Sequence, residues 1–247
     1  DFGSDNDIRY DAATGTINTL TVFSGNELHI ASSTTFAPGG DIMIYGNASS
    51  TSFDGSLHID DNATFTGSAT STYTLAGSFT MDTGATFTAA STTVIMNATT
   101  TGKTITTIAG QEISFNNLQF TGVGGGWNIN GNTRALGNIA VSTGTVSGTA
   151  NITVVNGSLS GNGLLSMGSG TTTVGNTNTL GGTTAWTFAN LVLGNGTVVG
   201  TTTPGSNATT AVSGKLTIST ARFLDAGGSL WNLSGAANVF VENETFL

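Results

Sequence analysis

The chain has 247 residues, with five Lys and Arg against fourteen Asp and Glu, a net charge of −9 and no Cys. This balance repels phosphate backbones and argues against nucleic-acid binding, while zero Cys excludes disulfides, thiolate metal sites and Cys nucleophiles. Only 8% of residues are charged, so the surface must be clothed in the hydroxyls and amides of Ser, Thr, Asn and Gly, and no apolar run approaches the roughly 18 residues of a membrane span.

Residues 1–16 are acidic and weakly periodic, and read as a cap or lead-in that shields the first open strand edge. The opening DFGSDNDIRY has neither the basic start nor the apolar centre of a signal peptide, which implies that a leader was removed or that more chain lies outside it. Asp5, Asp7 and Asp11, with Asn6 between them, form an oxygen-rich cluster of the type that suits calcium, a hard cation taking six to eight oxygens. No Gly follows at the sixth place and no Glu at the twelfth, so the spacing departs from an EF-hand loop. A solvated acidic terminus is the other reading of the same residues.

From Ile17 to the end, apolar residues recur in pairs separated by one, at Leu20/Val22, Leu28/Ile30, Ile42/Ile44, Leu57/Ile59, Tyr73/Leu75, Phe79/Met81 and Val94/Met96. Alternation with a period of two predicts strands, because successive side chains leave a strand on opposite faces. Thr, Val and Ile are abundant, Pro is scarce, and no helix of useful length is predicted.

In the first third, GSLHIDDNATFTG (55–67) superposes on GSFTMDTGATFTA (77–89) at an offset of 22. Leu57 falls on Phe79, Ile59 on Met81, Asp60 on Asp82 and Phe65 on Phe87. His29 and His58 each stand in the triplet LHI, which turns both imidazoles away from the apolar side. A zinc site would need a third ligand and supporting groups; the sequence shows none, and two ordinary outward-facing residues are expected. Asp60, Asp61 and Asp82 are expected at equivalent corners of adjacent coils, with their carboxylates splayed into water in preference to bridging a cation.

Further along, ISFNNLQF (113–120) aligns with WTFANLVL (186–193) at an offset of 73, placing Phe115 on Phe188, Asn117 on Asn190 and Leu118 on Leu191. Each copy is followed by the short kernel again, at NIAVSTGTVSG (138–148) and KLTISTARFLDAGG (215–228). Repeats in equal phase favour a right-handed parallel β-solenoid over an antiparallel meander, since a solenoid stacks like residues of successive coils above one another. Spacings of 13, 15 and 22 residues require irregular coil lengths. Residues 17–247 are expected to form one such repeat region, cut from a longer polypeptide because VFVENETFL ends in mid-pattern.

The phrase FNNLQF, then a Gly-rich bend with Trp127, then GNIAVSTGTVSG, resembles the degenerate β-solenoid repeats of large secreted or surface-anchored bacterial proteins, described as adhesin-like or filamentous-haemagglutinin-like. The resemblance spans most of residues 55–247 and departs at the second block, where Val198 stands near the expected Trp and Trp186 lies upstream. It implies an extracellular or cell-surface location and a structural role.

Catalysis finds little support. Solenoid lyases and glycosidases need acids clustered with Arg or Lys in a groove, yet Arg9, Lys103, Arg134, Lys215 and Arg222 are scattered and no carboxylate falls between Ile113 and Leu224. No G-x-S-x-G elbow marks a Ser nucleophile. Thr64/Thr66, Thr86/Thr88 and Thr171 to Thr173 raise an ice-binding array, which uneven coils would interrupt. Trp127, Trp186 and Trp231 suit sugar stacking or, in a core this poor in apolar residues, interior packing. The expectation is therefore a non-catalytic module of an extracellular surface or filament protein, partnered by its own copies or neighbouring repeats through strand edges and by surface glycans, with calcium as the one cofactor in view. The alternatives are a carbohydrate-binding or carbohydrate-cleaving solenoid and, behind it, an ice-binding one.

Overall fold

In a computed structural model, the described residues are 8–10, 14–15, 17–23, 26–46, 55–176, 178–194, 200–205, 209–219, 222–224, 229–234 and 238–241. They form strands and turns without helix. Every strand pairs in parallel with the strand one coil before and one coil after it, so the chain is a parallel β-solenoid.

Each coil visits three faces. Face one is a single eleven-stranded sheet running from strand Ile8–Tyr10 to strand Leu230–Leu233. Face three is a ten-stranded sheet from Leu20–Val22 to Arg222–Leu224. Face two is broken into a four-stranded sheet ending at Thr86–Thr88 and a seven-stranded sheet beginning at Glu112–Phe115. At about 4.8 Å per strand, face one extends roughly 50 Å.

The repeat seen in the first third is a structural repeat. Leu57 pairs with Phe79 and Ile59 with Met81 on face one, and Phe65 with Phe87 on face two. Coil lengths are uneven, from 19 residues between Trp127 and Val146 to 29 between Leu28 and Leu57. Inward positions are filled by Leu, Ile, Val, Met and Phe, buried along the stack from Val22 to Leu216, and alternate with outward Thr, Ser and Asn on each strand.

The second repeat differs from its sequence reading. Residues 113–120 run across the corner from face two to face three, whereas 186–193 run across the corner from face one to face two. What recurs is a corner. In both copies a buried Phe (Phe115, Phe188) precedes a one-residue bend, and the Asn after the bend accepts a backbone N–H from the next coil: Asn117 Oδ1 from Asn138 at 2.9 Å, Asn190 Oδ1 from Lys215 at 2.9 Å. The next coil must then carry Gly, because a Cβ on Gly137 or Gly214 would lie 2.4 or 2.5 Å from that same Oδ1. The phrase is portable between corners because it satisfies local backbone groups and asks nothing of the rest of the coil.

Candidate functional site

Two imidazoles and three carboxylates converge on the outer side of face one near its start. His29 pairs in register with His58, and His58 with Thr80. Leu and Ile on either side point inward, so these positions point out. Asp60 follows His58 by two residues, Asp82 follows Thr80 by two and Glu27 precedes His29 by two; the period of two puts all five on one outer surface.

The rings of His29 and His58 stack with centroids 4.6 Å apart and planes 18° from parallel. His29 Nε2 contacts Asp60 Oδ1. His58 Nε2 lies 3.0 Å from Asp82 Oδ2 and 3.8 Å from Asp60 Oδ1, while its Nδ1 lies 3.5 Å from Glu27 Oε1. The Glu27 side chain is 6% exposed and that of Asp60 13%, against 40% for Asp82. The cluster is thus shielded at its base and open to solvent at Asp82. On the preceding coil the backbone of Arg9 pairs with His29.

Two donor triads have their ligand atoms within 4.8 Å of one another: His58, Asp60 and Asp82, and Glu27, His29 and His58. This corrects two expectations. The histidines do face outward, but the third ligand that seemed to be missing comes from neighbouring coils. Asp60 and Asp82 do stand one coil apart, but they turn toward the imidazoles and do not splay into water. Asp61 separates from them, its Oδ1 accepting the Thr83 N–H at 3.0 Å. Glu27 escaped the sequence reading. The available signal was the period-two spacing of Glu27-x-His29 and His58-x-Asp60, which gains meaning only once Leu28 is known to stack on Leu57.

Asp5, Asp7 and Asp11, the residues expected to suit calcium, lie outside the described residues. Trp127 and Trp186 are buried in the core, where the Trp186 indole N–H donates to the Gly163 carbonyl at 2.9 Å. The aromatic pair on the surface is instead Phe23 and Tyr45, stacked at 6.5 Å. Thr35, Thr64 and Thr86 form an in-register outward column on face two, with Thr66 beside Thr88; face two breaks directly after this array. Comparison of the chain with family models, curated proteins and solved structures found no match.

Proposed function

We propose that this chain is a non-catalytic structural module of an extracellular surface or filament protein, of the kind its adhesin-like repeats suggest. The observation that carries this reading is the unbroken in-register ladder of face one, a stiff stack whose coils are joined by parallel backbone hydrogen bonds and a continuous apolar core. Such a rod extends reach, and its end strands offer backbone edges for pairing. Leu233 supports stacking of further coils: it sits above the buried Val212 yet is 40% exposed.

Electron micrographs combined with sedimentation velocity test the proposal. Rods that associate end to end at rising concentration are the expected result; compact, non-associating particles that depolymerise a polysaccharide would overturn it. The glycan-binding alternative has one observation in its favour, the exposed Phe23/Tyr45 stack, and a glycan array in which Tyr45→Ala abolishes every hit would favour it.

A further inference from the structure

We propose that His58, Asp60 and Asp82 bind a divalent transition-metal ion of the zinc class, with His29 and Glu27 positioning the ligands, so that the ion ties together three successive coils of the rod. One imidazole nitrogen and two carboxylate oxygens are borderline donors suited to zinc and its neighbours; calcium would ask for six or more oxygens.

The spacing fits. Bonds of about 2.0–2.1 Å at tetrahedral angles separate ligand atoms by about 3.3 Å, and the distances from His58 Nε2 to Asp82 Oδ2 (3.0 Å) and Asp60 Oδ1 (3.8 Å) bracket that value. The supports fit as well. Metal-bound ligands are held by outer partners that fix their orientation, and here Glu27 faces the other ring nitrogen of His58 while His29 contacts Asp60. Asp82, the most exposed member, leaves a path for the ion and room for a water as fourth ligand.

Backbone geometry explains why a cation belongs there. Equivalent side chains of adjacent coils are held about 4.8 Å apart by the ladder, so Asp60 and Asp82 cannot separate without breaking it. A cation between them converts a repulsive pair into a clamp. Coordination then joins the coils that begin at Leu28, Leu57 and Phe79.

Calorimetric titration of the whole chain with zinc chloride at neutral pH tests this. About one zinc per chain is expected at this site, with a rise in melting temperature on loading. His58→Ala, Asp60→Asn and Asp82→Asn should abolish the binding, His29→Ala and Glu27→Gln should weaken it by about 10- to 100-fold, and Thr80→Ala on the same surface should leave it unchanged. A wild-type chain that takes up no zinc, or one whose zinc binding survives His58→Ala and Asp82→Asn but is lost when Asp5, Asp7 and Asp11 are all changed to Asn, overturns the proposal. Should a variant lose its circular dichroism signature, imidazole nitrogen NMR of the wild-type chain decides: zinc must shift the His58 Nε2 resonance, and a spectrum indifferent to zinc refutes the site.

Discussion

The coils before Phe115 and those after it fill one continuous core with different materials. In the first group Tyr10, Phe36, Phe65, Phe87 and Phe115 form a ladder with ring centroids 4.8 to 5.6 Å apart, flanked by Phe79. In the second, the corresponding inward positions are Ala135, Val154, Val174 and Leu193. The difference follows coil length. Leu28, Leu57, Phe79 and Ile105 stand 29, 22 and 26 residues apart on face one, whereas Trp127, Val146 and Leu165 stand 19 apart. The connection between faces two and three shortens as well, from residues 67–71 and 89–92 to Asn116 alone. A longer coil encloses a wider section that needs rings to fill it, and a shorter one is full with branched aliphatics. At the break in face two, Gln111 Nε2 donates to the Ala85 carbonyl at 3.0 Å, a side chain standing in where the ladder stops.

The sharpest way to break this comparison is to exchange the fillings. Phe65→Ala, in the middle of the ring ladder, should destabilise the chain by about 3–5 kcal/mol, because rings on neighbouring coils cannot collapse into the void. Val154→Phe should destabilise by about 1–3 kcal/mol through overpacking, and Ile152→Val by only about 0.5–1.5 kcal/mol. Guanidinium unfolding measures all three. A Val154→Phe variant as stable as the parent would show that the short coils have spare room, and the link between coil length and filling would fall.

The corner motif predicts equality where the cores predict contrast. Asn117→Ala and Asn190→Ala each remove one side-chain acceptor from a backbone N–H, and each should cost about 0.5–1.5 kcal/mol. They lie on different corners in different surroundings. Equal losses in unfolding experiments would confirm a self-contained motif; a loss confined to one would show that its surroundings matter after all.

These two cases also mark what the sequence made legible. Alternation is a local property, so the parallel β-solenoid, its uneven coils and the equivalence of 55–67 with 77–89 can be read directly from spacing. The face on which a segment lies is a sum over every preceding bend. For that reason two nearly identical phrases, around Asn117 and Asn190, could sit on different corners without any sign in their residues. The His and carboxylate cluster was hidden for the same reason. Glu27, His29, His58, Asp60 and Asp82 span 56 positions of chain, and only the register of three coils brings them together.

Tyr73 offers a third comparison, between neutral and alkaline solution. Its hydroxyl accepts the Ser68 backbone N–H at 2.9 Å, and burial pushes its pKa above the ordinary value of about 10. The folded chain therefore holds that proton more tightly than the unfolded chain. Its contribution is complete below the unfolded pKa and is lost as pH rises from about 10 through the folded value. Unfolding midpoints of the parent should fall over that alkaline range more steeply than those of Tyr73→Phe, whose own cost at neutral pH should be about 1 kcal/mol for the missing hydrogen bond.

The smallest effect separates the two groups of coils by backbone strain. Among the described residues, those other than Gly with positive φ are Ser33, Asn62, Thr70 and Ala90, all before the break in face two, whereas the positive-φ positions beyond Gly102 are Gly. Ser33, Asn62 and Gly84 form one column at the corner between faces one and two, three coils solving the same turn with φ of 61°, 57° and 72°. A left-handed residue with a Cβ costs about 1–2 kcal/mol, and Gly in its place gives back part of that through unfolded-chain entropy of about 0.5–1 kcal/mol. Ala90→Gly should therefore stabilise the chain by up to about 1 kcal/mol. Asn62→Gly should stabilise it by less, since Asn tolerates this conformation through its short polar side chain. A melting temperature lowered by Ala90→Gly would show that the Ala90 methyl contributes more to packing than its backbone loses to strain.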